Sequence, residues 1–270
     1  MAEDIAPRLA EFITGTRLED IPAETITFVK GLIAKTAAGM LVGSRMPAGR
    51  KLTKALEQRK AVPELKIIGC GLETSLREAV FTHAMFAHAS ELEDDRFGGG
   101  VSWDITVLPI TFSLAAKNHL SGKEFLEASI TGLEVHCRTC LFPSEHRGIL
   151  VVPGAIGPAA AAAKALKLST EETAFAMGMG LASSAVTGPN HGTDGHYFES
   201  AIQSLQGLMG AEMAALGLVS NPPHRRVPHR PAWRGQGEHG GNHGRPGQTL
   251  APARNLDKEV SLLLRDTPPD

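Results

Sequence analysis

The part of this 270-residue chain best equipped for chemistry is His83–Pro109, HAMFAHASELEDDRFGGGVSWDITVLP. It begins with helical character, meets four acids (Glu91, Glu93, Asp94 and Asp95) and breaks at Gly98–Gly100 before a new apolar run. Residues three, four and seven apart share a helical face. The spacing therefore places His88, Glu91 and Asp95 on one side of the last turns, with Ala84 a turn earlier, and sends Glu93 and Asp94 elsewhere. The negative end of the helix dipole disfavours carboxylates. Crowding acids there raises their pKa values, a setting that serves proton transfer. The same residues also fit a solvated acidic helix end before a flexible loop.

A second group is Cys137-Arg138-Thr139-Cys140, with His136 and His146 nearby. Its spacing suits a metal or a redox pair, but one CxxC without a second ligand pair is a weak zinc signal. Small buried cysteines are common where a helical pattern ends. The structural reading is taken, with no metal and no cofactor expected. Together with Cys70, these thiols do not make a disulfide framework.

The elements that must position these residues are helical almost throughout. Ile21–Met40 carries Pro22 in a first-turn position and Ile26, Val29, Leu32, Ile33 and Ala37 on one side. Leu76–Glu91 and Asp104–Asn118 follow. Two capping boxes, Ser121 with Glu124 and Ser169 with Glu172, open Phe125–Val135 and Thr173–Leu181. Between them lies the alanine-rich stretch Gly154–Leu168, and a last helix is expected over Phe198–Leu216. Strand signals are confined to Val62–Gly69 and Ile149–Val152, whose prolines argue for edges or linkers. No Walker loop or strand-linked GxGxxG occurs. The expected fold class is all-α, a multi-helix bundle over residues 1–219. Residues 220–270, rich in Pro, Gly, Arg and His, are expected to form a mostly disordered tail.

Net charge is −2, so nothing suggests general nucleic-acid attraction. The acidic N-terminus MAEDIAPRLA does not read as a signal peptide, and no stretch reads as an uninterrupted membrane span. A cytoplasmic protein with no nucleic-acid or membrane partner is expected.

The acidic helix end leading to Val107-Leu108-Pro109, then Gly132-Leu-Glu-Val135, His146 before the alanine-rich helix, and Gln206-Gly207 resemble, in this order, the MmgE/PrpD family. The resemblance runs from about Ile5 to Leu218. The family's His-Ala-x-Asp-Phe-Asp-Asp-Thr corresponds to His88–Asp95, with Glu91 replacing the first aspartate and Asp95 the threonine. A family histidine falls at Ser102 or Trp103, its second active-site histidine at His146, and its basic residue before the final helix near His196. The resemblance implies an all-helical domain, a homodimer, no cofactor, and a small di- or tricarboxylic acid as substrate. It further implies a lyase, dehydrating or decarboxylating its substrate through proton abstraction next to a carboxylate. An epimerase sharing the first step and an inactive truncated helical module are the alternatives. In the lyase reading His146 is the principal acid/base, His88 and His196 face the substrate, Glu91 orients or shares a proton, and Asp95 helps to bind the substrate. Arg138 or Arg147 would grip a substrate carboxylate, since a guanidinium fork suits that anion. The missing lid region of the family would leave such a site less shielded from water.

Overall fold

The computed structural model describes residues 5–221 apart from 60, 97–100, 141–143, 147–148, 152, 183–185, 188–189 and 191. Of the strand residues 96, 101, 144–146, 149–151 and 186–187 it describes only the backbone. The expected tail lies, from residue 222 onward, outside the described residues.

Nine α-helices occur among the described residues: α1 (Ile5–Gly15), α2 (Ala23–Gly43), α3 (Pro47–Glu57), α4 (Leu76–Ala89), α5 (Asp104–Asn118), α6 (Gly122–Thr139), α7 (Ile156–Ala165), α8 (Thr170–Gly180) and α9 (Asp194–Ala215). The strands are short. β1 (Leu65–Lys66) pairs with β2 (Glu73–Thr74), and β3 (Asp95–Arg96) with β4 (Val101–Ser102). β5 (Ser144–His146), β6 (Ile149–Val151) and β7 (Val186–Thr187) form an antiparallel three-stranded sheet. The expected all-helical bundle is thus present, with only short strands between the helices among the described residues.

Local chemistry explains most helix starts. Ser121 and Ser169 each accept a hydrogen bond from the N3 backbone, while Glu124 and Glu172 reach back, completing both capping boxes. Ser75 caps α4 by accepting from the Glu78 amide. The alanine run packs α7 into the centre, with Ala159–Ala163 buried against α6, α8 and α9. Close approach depends on glycine there. A Cβ on Gly132 of α6 would lie 2.5 Å from Ala161 Cβ, and one on Gly207 of α9 would lie 2.3 Å from Pro158 Cβ.

By length and composition helix α2 is apolar enough to cross a membrane, with Lys30 and Lys35 interrupting its apolar run. In this fold Val29 and Leu32 are buried in the cluster with Val107, Leu108 and Leu133, while Phe28 and Leu41 are exposed. Lys35 on α2 binds Asp94 at 2.5 Å and the fully buried Asp104 at 2.9 Å. Asp104 also accepts hydrogen bonds from Thr36 Oγ1 (2.7 Å) and the Asp94 amide (3.0 Å). Burial opposes the Lys35 charge, but the bonds to Asp94 and Asp104 outweigh it and raise its pKa. Asp104→Ala would strip an acceptor from three donors at once. It is expected to destabilise the fold by about 3 kcal/mol, read as a lower denaturation midpoint at unchanged m-value.

Candidate active site

Helix α4 ends at Ala89, earlier than its apolar pattern suggests, and Glu91 takes a left-handed backbone with φ 51°. The shared face drawn for His88, Glu91 and Asp95 therefore does not exist, because helical spacing stops before the acids begin. Tertiary contacts reassemble part of the set. The Asp94 and Asp104 contacts to Lys35 tie the acidic loop to α2 and α5, and Tyr197 Oη donates to Glu91 Oε1 at 2.6 Å from the first turns of α9.

His88 lies at the junction of α4 and α9, only 2% exposed. Its Nδ1 is 2.8 Å from Ser200 Oγ, and the Ser200 hydroxyl donates to the Tyr197 carbonyl at 2.9 Å. A hydroxyl hydrogen already donated leaves Ser200 Oγ to accept from His88 Nδ1–H. This assigns the basic lone pair of His88 to Nε2. The His196 ring meets His88 edge to face with centroids 4.5 Å apart, and the Tyr197 ring lies 5.2 Å away. His196 Nδ1 is 3.8 Å from Glu199 Oε2, and Asn190 Nδ2 donates to Glu199 Oε1 at 2.6 Å. Two imidazoles, each backed by polar groups, thus pack together, and His88 also packs against the phenol that holds the Glu91 carboxylate.

Among the loop acids, Glu93 is the unusual one. Burial raises its carboxyl above the usual range despite a backbone hydrogen bond, and Glu91, Asp95 and Asp104 add to the rise. The Tyr197 phenol is pushed up to about 12, first by its bond to Glu91, then by burial and by the charges of Glu91, Asp194 and Glu93. Glu93, set aside on helical spacing, therefore belongs to the same electrostatic neighbourhood as Glu91.

The remaining expected residues are placed differently. Asp95 pairs in β3 opposite Ser102 of β4, is exposed, and accepts from Ser102 Oγ at 2.6 Å. Arg138 sits in the last turn of α6, donating to Glu134 at 2.5 Å. The backbone sets His146 opposite Ile149, and β6 pairs with β7, from which the chain continues to α9. The His146 side chain and all of Arg147 lie outside the described residues. Burial pushes the Cys140 thiol up to about 12 and lowers the adjacent His136 to about 4, the latter against a backbone hydrogen bond at Ser102. No group of three or more His, Cys, Asp or Glu residues able to hold a metal ion occurs among the described residues.

Several contributors escaped sequence reasoning. The last helix starts at Asp194, with Thr193 as its N-cap, rather than at Phe198. Reading that Thr193 cap would have placed His196, Glu199, Ser200 and Gln203 on one helical face. Lys35 and Asp104 carry no local signal, since their partners come from other helices.

Residues 7–226 match the family model of the MmgE/PrpD N-terminal domain. The chain is 27% identical over 236 residues to the cis-aconitate decarboxylase-like protein oryM of Aspergillus oryzae, a match covering 80% of this chain and 48% of that protein. It is 26% identical over 135 residues to the cis-aconitate decarboxylase of Aspergillus terreus, covering 48% and 28%. The chain thus spans about half the length of the first relative and little more than a quarter of the second.

Proposed function

Because the chain belongs to the MmgE/PrpD family, we propose that it serves a lyase that dehydrates or decarboxylates a small di- or tricarboxylic acid by proton transfer next to a carboxylate. The observation that carries this reading is the packing of His88 against His196 and Tyr197 at the α4–α9 junction, with Glu91 bound to the Tyr197 hydroxyl. Either reaction builds negative charge on carbon beside a carboxylate. Such chemistry needs a base or acid titrating near neutral pH and donors for the developing charge.

His88 suits the proton step, since Ser200 fixes its Nδ1 proton and directs the Nε2 lone pair. In dehydration the base removes a proton from the substrate carbon, and a protonated imidazole gives one to the leaving hydroxyl, which departs as water. In decarboxylation carbon dioxide leaves and a protonated imidazole returns a proton to carbon. His196, backed by Glu199, supplies a donor when protonated. His146 keeps its proposed part as a second acid/base, and Arg138 or Arg147 that of a carboxylate grip. A homodimer is also proposed, with the exposed Phe28, Leu41 and Val42 of α2 available to a second copy. Sedimentation giving a monomer at micromolar concentration would count against it.

The test is proton exchange. The purified chain is incubated in deuterium oxide with a panel of citrate-, aconitate- and methylcitrate-like acids, and loss of the proton next to the carboxylate is followed by NMR. Exchange without net turnover supports the first step and points to an epimerase or an incomplete lyase. No exchange with any acid favours the inactive-module alternative.

A further inference from the structure

We infer that Tyr197 is a positioning residue of this site: its hydroxyl holds Glu91 while its ring braces His88, so that carboxylate and imidazole keep one relative placement. This rests on reading the junction as the proton-transferring site. Three observations carry it. Glu91 lies two residues past the end of α4, in a left-handed backbone, so its helix no longer orients it. The 2.6 Å bond from Tyr197 is a side-chain tie across 106 residues of sequence. On its other side the same ring sits 5.2 Å from His88, whose Ser200 partner donates to the Tyr197 carbonyl. One residue therefore touches the carboxylate with its side chain and sets the imidazole through both ring and backbone.

The groups facing the phenol are His88 from α4, Glu91 and Glu93 from the acidic loop, and Asp194 from α9. Three of these are acids, which oppose formation of a phenolate. Tyr197 is the single tyrosine of the chain, so tyrosinate absorbance near 295 nm reports on it alone.

The experiment uses the full chain. At pH 10 an ordinary tyrosine is about half ionised, and the denatured chain provides that reference. The native phenol is expected to remain mostly protonated, and Glu91→Gln to move its ionisation back towards the denatured reference. A native phenol that titrates like the denatured one overturns the inference, whether or not any acid is turned over.

The second arm is Tyr197→Phe, which keeps the ring and removes the tie. Turnover is expected to fall on the order of 10-fold through kcat, with KM little changed, and thermal stability to stay close to wild type. Unchanged kcat overturns the positioning role. If the wild type exchanges no acid, the lyase reading fails separately, and the role is read from the His88 ring proton titration by NMR. A titration that Tyr197→Phe leaves unmoved then overturns it.

Discussion

His88→Ala is expected to lower the rate of proton exchange at least about 100-fold, the smaller end of what a positioned acid/base supplies. The size follows from what the side chain alone provides. Its Nδ1 is tied to Ser200, which in turn donates to the Tyr197 carbonyl, so the ring cannot rotate freely and Nε2 is the nitrogen proposed to move the proton. His196, although 4.5 Å away, is set by Glu199 and points from a different helix. It is therefore poorly placed to substitute. The contrast with Ser200→Ala is informative. Losing the orienting hydroxyl should cost less than losing the base, with both tautomers of His88 becoming accessible. Rates for the two variants within a factor of about two of wild type would remove His88 from the mechanism.

Acid is expected to unfold the chain well above the pH at which carboxylates alone would. His83 is fully enclosed. Its Nε2 accepts from the Ile68 amide at 2.9 Å, and its Nδ1 is 2.9 Å from Ser113 Oγ, whose hydroxyl donates to the Pro109 carbonyl at 2.7 Å. That network accommodates only the neutral ring, because a proton on Nε2 would displace the Ile68 donor. Burial lowers His83 to about 4, and burial lowers His136 to about 4 as well.

The folded pKa lies below the unfolded one, so the unfolded chain binds more protons as pH falls. Stability is complete above pH 6.5 and drains away towards pH 4. At 1.36 kcal/mol per pKa unit, each histidine removes about 3 kcal/mol across that window. Two together rival the whole stability of a typical domain. Denaturant midpoints measured from pH 7 to pH 4 should fall steeply, and His83→Gln should flatten the slope. A flat profile between pH 6.5 and 4 in the wild type would show that neither ring is held neutral.

How much of the site was legible varied by residue. His88 and Glu91 stood out because a histidine and a carboxylate three apart at a helix end suggest proton chemistry, and both do reach the junction. Their geometry was misjudged, since periodicity describes a helix only while it lasts and cannot show that Glu91 turns left-handed. Asp95 was drawn into the site by the same extrapolation, whereas strand pairing turns it towards Ser102. His196 and Tyr197 fell just before the expected start of the last helix at Phe198, because the apolar pattern of α9 strengthens only after its polar first turn.

What the sequence determined by itself was the helical class and the order of seven of the helices, α1 and α3 having gone unread. Capping boxes at Ser121 and Ser169, the apolar period of α5 and the alanine run of α7 act over one or two turns, and their energetics are local. The tertiary structure alone decided which side chains share a site. Lys35 finds Asp104 across 69 residues and Tyr197 finds Glu91 across 106. Such partners are chosen by how α2, α4, α5 and α9 pack, and close packing depends on complementarity over the entire core rather than on any short pattern.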